Sequence, residues 1–253
     1  MTVHLLLLSN STNHDSGYLA HAVDQVLEFL DGAPLTFVPF ALADHEAYTQ
    51  RVIDALAPHG VEVTGLHAAA DPVEAVQRAR AVFVGGGNTF RLLATLQRLA
   101  LLEPLRERVR SDMPYMGASA GTNIAGGTIR TTNDMPIVQP SSFDALGLVP
   151  FQLNPHFIDA DPASTHRGET REQRLAEFLE ENDAAVLGLR EGTWLRVDDE
   201  RATIGGTAVG AAAPGPAVVF ERGASPREVS GDISALLTRR SRLDVRPGGV
   251  TSR

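Results

Sequence analysis

The 253-residue sequence contains no cysteine and no lysine, so all 22 of its basic residues are arginine. The absence of cysteine excludes thiol nucleophiles, thiolate metal sites and disulfides, and it fits a reducing compartment. The absence of lysine excludes Schiff-base chemistry, a phosphate-loop lysine and a Ser-Lys dyad. Positive charge is scarce overall. A net charge of −9 argues against a nucleic-acid partner, because phosphate binding needs a concentrated basic surface. The one basic stretch, Arg239, Arg240, Arg242 and Arg246, reads as a solvated tail around Pro247-Gly248-Gly249. Long apolar runs are also missing. Leu5–Leu8 is followed by no basic residue until Arg51, which fits neither a signal peptide nor a membrane span. A cytoplasmic protein with no membrane partner and no cofactor is expected.

What is present is an alternation of short apolar runs and helical patterns. Val3–Leu8, Leu35–Val38, Val61–Leu66, Ala81–Val84 and Pro114–Gly117 read as strands. Tyr18–Leu30, Glu46–Leu56, Pro72–Arg80 and a long segment from Asn88 to about Arg110 read as helices between them. That order predicts an α/β fold with a mostly parallel sheet covered by helices on both faces. The second half differs. Thr128–Pro140 has no clear period, Phe151–Asn154 looks like a short strand and Thr170–Glu181 like a charged helix. Ala185–Leu189, Trp194–Val197 and Ala202–Ile204 read as short antiparallel strands, with Asp198-Asp199-Glu200 as a turn and Ala217–Phe220 as one more strand. The expected organisation is one domain over residues 1–223, with an antiparallel part at its end and a partly flexible extension over 224–253.

Gly117-Ala118-Ser119-Ala120-Gly121 has the spacing G-x-S-x-G between an apolar strand and a small-residue helix start. Such a turn exposes a serine hydroxyl, which makes Ser119 the candidate nucleophile. Gly85-Gly86-Gly87-Asn88 also joins a strand to a helix. As a dinucleotide loop it fails, because Phe90 stands where the last glycine of G-x-G-x-x-G belongs. A nucleotide-binding domain without catalysis is thereby the weaker alternative. As an oxyanion hole, its N–H groups would join that of Ala120. Histidine is the natural base for a serine near neutral pH. Six of the eight histidines precede Ser119; of the others, His156 lies just past a short strand and is favoured over His166 in a polar loop. For a carboxylate to orient the base, Asp134, Asp144, Asp159, Asp161 and Glu191 all stand open. Glu191 also fits a plain hairpin turn.

Taken together, VGGGNTFRLL (84–93), GASAGTNI (117–124), TIRTTNDMPIV (128–138), FDAL (143–146), NPHF (154–157), RGETREQR (167–174) and LREGTW (189–194) resemble the serine peptidase family that contains peptidase E, the α-aspartyl dipeptidases, and the cyanophycinases. The resemblance spans about residues 82–206. It implies a sheet similar to that of class I glutamine amidotransferases, of flavodoxin-like type, and a Ser-His-Glu triad falling on Ser119, His156 and Glu191. It implies an oxyanion hole from Gly87, Asn88 and Ala120, no metal, and dipeptides with N-terminal aspartate as substrate. A site for that residue needs a cation for its carboxylate, for which Arg171 is the candidate, and an acceptor for its ammonium, for which Asp134 is the candidate. Ala118 departs from the pattern, since some members carry tryptophan there, and leaves the pocket wall open. A cyanophycinase-like β-aspartyl peptidase is the alternative within the family, and a homodimer remains an open alternative for assembly.

Overall fold

Leu5, Leu6, Leu7 and Leu8 are all fully buried, and they divide by alternation between two cores. Leu5 and Leu7 enter one, Leu6 and Leu8 the other, as expected of a strand covered on both faces. The computed structural model describes residues 3–160, 168–209 and 215–245. In chain order its elements are β1 (His4–Leu8), α1 (Val23–Leu30), β2 (Leu35–Val38), α2 (His45–Leu56), β3 (Val63–Gly65), α3 (Pro72–Arg78), β4 (Ala81–Val84), α4 (Thr89–Arg98), α5 (Leu102–Arg110), β5 (Tyr115–Ala118) and α6 (Ala120–Asn123). The remainder comprises β6 (Gln152–Phe157), α7 (Arg171–Glu181), β7 (Val186–Arg190), β8 (Thr193–Asp198), β9 (Arg201–Gly206), β10 (Ala217–Phe220), β11 (Arg227–Val229) and β12 (Gly231–Asp232).

The main sheet has eight strands in the order β12-β9-β8-β1-β5-β4-β2-β3. β1 to β5 run parallel, while β8, β9 and β12 add an antiparallel wing beside β1. One face packs on α1 and α2 through Val26, Phe29 and Val52. The other packs on α3 to α6 and on the inner face of a second sheet, ordered β11-β10-β7-β6. The outer face of that second sheet carries Phe157, Val186, Val218 and Phe220, which pack on Leu175 and Leu179 of α7. Helix α7 starts where expected because Thr170 and Gln173 form a reciprocal capping box.

The expected parallel sheet with helices on both faces is present, and several details differ from the sequence reading. The helix expected from Asn88 to about Arg110 is two helices, separated where Ala100 takes φ 53°. Only Val63–Gly65 of the third expected strand pairs. Residues 152–157 continue as a strand through Pro155 and run parallel to β7. The strands expected at 185–204 do not form one meander: β7 belongs to the second sheet, and β8 and β9 to the first. Glu191-Gly192 is therefore a crossing between sheets and not a hairpin turn. Residues 227–232 of the expected extension supply edge strands to both sheets. Of the basic stretch, Arg239 pairs with Glu221 and Arg242 with Asp183, while Arg246 lies outside the described residues.

Candidate active site

Ser119 occupies the single step between β5 and α6, with φ 52° and ψ −110°, a conformation that L-residues rarely adopt. The flanking glycines follow from crowding. A Cβ on Gly121 would run into the Val84 carbonyl oxygen, and one on Gly117 would lie 2.6 Å from the Gly121 oxygen. Fully buried Tyr115 donates its hydroxyl to that same Gly121 oxygen at 2.6 Å. Burial pushes its phenol well above the ordinary value, so it remains a neutral donor. From the other side, Thr122 Oγ1 donates to the Leu8 carbonyl at 2.6 Å and Ser119 N–H donates to it at 3.2 Å. The turn is thus held by strand β1 below it and by its own strand behind it. Ser119 Oγ has no hydrogen-bond partner among the described residues.

The glycine loop after β4 lies directly against this turn. A Cβ on Gly86 would sit 3.0 Å from Ser119 Cβ and 3.7 Å from its Oγ, so only glycine lets the loop approach so closely. Gly87 has φ 133°. Among the described residues, the N–H groups of Gly87 and Ala120 meet no acceptor. Asn88 behaves differently from expectation as an oxyanion donor. Its N–H goes to the Ala41 carbonyl at 3.0 Å and its Nδ2 to the Met135 carbonyl at 2.9 Å, while its Oδ1 caps Arg91 N–H at 3.0 Å. Its backbone N–H and one of its two amide hydrogens are therefore committed, and Asn88 serves as the cap of α4.

His156 Nδ1 lies 2.6 Å from Glu191 Oε1, with both side chains about two-fifths exposed. Of the candidate carboxylates among the described residues, Glu191 is thus the one that meets this imidazole. Asp159 instead binds Arg190, Asp144 bridges to Thr128 by its backbone, and Asp134 belongs to a threonine cluster. Asp161 and His166 lie outside the described residues. Asp134 Oδ2 accepts from Thr89 N–H at 2.7 Å and Thr89 Oγ1 at 2.6 Å, and Thr132 Oγ1 adds a longer contact at 3.3 Å. Its Oδ1 has no partner among the described residues. Arg171, the first residue of α7, is partly buried and makes no hydrogen bond among the described residues. Burial lowers its guanidinium from the ordinary value, Arg174 adds to that, and the field of Asp134 opposes it. Arg171 and Asp134 are therefore electrostatic neighbours. Ala118 is fully buried beside Leu8 and Met116, so it lines the core and no pocket.

Sequence reasoning missed three residues that assemble these groups. Ser9, fully buried at the end of β1, accepts from His156 N–H and donates to the Leu189 carbonyl, both at 2.9 Å. Asn10 Oδ1 accepts from Gly192 N–H at 2.7 Å. Arg190, its side chain 2% exposed, takes Asp159 at 2.5 and 2.7 Å and Glu228 at 2.7 Å, with the Phe157 ring beneath its guanidinium. Its charge is stabilised far above the ordinary value, first by the Glu228 hydrogen bonds, against the cost of burial, with Asp159 adding to it. A polar pair closing an apolar strand, and an arginine before Glu191, were the only signals for them.

Comparison with known proteins places the chain in a family. The model of "Peptidase family S51" matches residues 5–205. A Streptomyces coelicolor protein called peptidase E is 59% identical over 96% of this chain and 98% of that one. A Drosophila melanogaster protein called a probable alpha-aspartyl dipeptidase is 51% identical over 79% of this chain and 85% of its own. A crystal structure of a putative peptidase E from Listeria monocytogenes shares the fold, with a TM-score of 0.63 at 22% identity over 82% of this chain and all of the other.

Proposed function

From the premise that this chain belongs to peptidase family S51 and is a serine-type dipeptidase, we propose that it releases N-terminal aspartate from dipeptides through Ser119, His156 and Glu191. The observation that carries the reading is the 2.6 Å contact of His156 Nδ1 with Glu191 Oε1. The contact occurs on a strand tied to β1 one residue from where the strained Ser119 turn is tied. Glu191 holds the imidazole with its proton on Nδ1 and leaves Nε2 to accept from the Ser119 hydroxyl. As Oγ attacks the peptide carbonyl, the developing oxyanion takes the N–H groups of Gly87 and Ala120. His156 then protonates the departing amine. Water, deprotonated in turn by His156, cleaves the aspartyl-serine ester and frees the enzyme.

The substrate's side-chain carboxylate meets Arg171, a guanidinium with no carboxylate partner among the described residues, and its ammonium meets the open Oδ1 of Asp134. Support for the aspartyl preference comes from this juxtaposed pair of opposite charges and from the name of the fly relative. The test is hydrolysis of Asp-p-nitroanilide against the Ala, Glu and Asn analogues, with Ser119→Ala as control. Strong preference for aspartate, lost in the variant, is expected. Turnover that survives in Ser119→Ala overturns the nucleophile, and equal rates on all four overturn the aspartyl site. An isoaspartyl substrate preferred to its α-linked isomer would move the assignment to β-aspartyl peptides.

A further inference from the structure

Strands β6 and β7 pair in register from Gln152 opposite Val186 to Asn154 opposite Gly188, and the next pair is Phe157 with Arg190. Three steps along β6 thus face two along β7, which makes Pro155-His156 a bulge opposite Leu189. Pro155 has no N–H to give, and His156 is turned to φ 53°, so the ladder is broken on both strands. Backbone groups broken out of a buried ladder need other partners. The side chain of Ser9 supplies both: His156 N–H donates to Ser9 Oγ, and Ser9 O–H donates to the Leu189 carbonyl, each at 2.9 Å. Ser9 is itself fixed, being fully buried with its own N–H on the Thr193 carbonyl at 2.9 Å. The residue before it, Leu8, accepts the N–H of Ser119. The dipeptide Leu8-Ser9, where β1 ends, therefore holds the backbones of both Ser119 and His156, Ser9 lying 147 residues from the latter.

We propose that Ser9 is a positioning residue of the peptidase. Its hydroxyl replaces the missing rung at the bulge, locks His156 in the left-handed conformation and so sets the imidazole in register with Ser119. The inference rests on the triad reading above. It acts on the orientation of the base, and Ser9 touches no substrate. Displacing a reacting group by about 1 Å costs on the order of 100-fold in rate. The signature is accordingly a lower kcat at unchanged KM.

The experiment measures kcat and KM on an aspartyl substrate for Ser9→Ala, Ser9→Thr and His156→Ala, with melting temperatures for each. Ser9→Ala is expected to lose roughly 10- to 100-fold in kcat with KM within twofold of the parent, and Ser9→Thr, which keeps the hydroxyl, to recover most of that loss. If the alanine variant does not fold, Ser9→Cys fills the site with a somewhat larger atom while weakening both hydrogen bonds and is read the same way. A Ser9→Ala enzyme with parental kcat overturns the proposal. So does a folded Ser9→Thr enzyme as slow as the alanine variant, or a loss carried by KM. An active His156→Ala enzyme overturns the triad reading and this one together. An inactive His156→Ala beside a fully active Ser9→Ala overturns this one alone.

Discussion

Ser119 and His156 share nearly the same left-handed φ, 52° and 53°, although neither is glycine. Both are held there by hydrogen bonds to adjacent residues, Leu8 at the end of β1 and Ser9 just after it. Conformations of this kind cost about 1–3 kcal/mol each and persist only where the surroundings over-determine them.

Releasing that strain gives a first prediction. Ser119→Gly should be more stable than the parent by up to about 2.5 kcal/mol, because relief of about 1–3 kcal/mol outweighs the ~0.5–1 kcal/mol entropic cost of glycine. Turnover should fall about 10⁶-fold. Urea unfolding checks the first part, and an unchanged or lower midpoint at equal slope removes the strain argument.

Arg190 ties β7 to β11 through Glu228 and to the segment just after β6 through Asp159, and immediately precedes Glu191. Lysine cannot grip two carboxylates with a planar fork. Arg190→Lys should cost about 2–3 kcal/mol, somewhat below the usual loss on breaking a buried pair, since both carboxylates are partly solvated. Denaturant titration measures it, and a change under about 0.5 kcal/mol would show the clamp to be energetically idle.

Arg171→Met should lower kcat/KM about 100-fold on aspartyl substrates, the scale of one lost charge-assisted interaction. On alanyl analogues the change should be small. Paired kinetics on the two substrates decides it: an equal loss on both would remove Arg171 from the aspartyl site.

His21 has both ring nitrogens buried without a partner among the described residues, and burial lowers its proton affinity from the ordinary 6.5. The unfolded chain takes up a proton there near pH 6.5 while the native chain resists it. Native stability therefore declines as pH falls below that value, and the loss levels off once the lowered native value is passed. His21→Leu removes this dependence. Its melting temperature relative to the parent should rise as pH is taken from about 7 to about 5; parallel curves would contradict the assignment.

Local chemistry was readable in the sequence and long-range chemistry was not. The Ser119 turn could be read because strand, glycines and helix start are neighbours in the chain. His156 was favoured on position alone, and its carboxylate stayed open because Glu191 reaches it across 35 residues by a crossing between two sheets. Apolar periodicity cannot tell which sheet a strand joins, so β7 and β8 looked like one meander. The role of Asn88 was harder to read, because a glycine loop advertises free N–H groups, whereas Ala41 and Met135, distant in sequence, take its backbone N–H and one of its two amide hydrogens. Ser9 looked like the polar end of a leucine strand, and its two partners lie 147 and 180 residues on.

The placement of β1 also has a consequence for the order in which the protein is made. Its two neighbours are β5, which ends at Ala118, and β8, which begins at Thr193. As the chain leaves the ribosome, β1 gains its first neighbour early and keeps one edge open for some seventy-five residues more. The segment that finally closes this edge follows directly on Glu191. A nascent or truncated chain ending before β8 would thus contain the serine turn, the histidine bulge and the strand that ties them, with that strand unpaired along one edge. Until β8 arrives, such a chain carries an unpaired strand edge, a template on which other chains can pair.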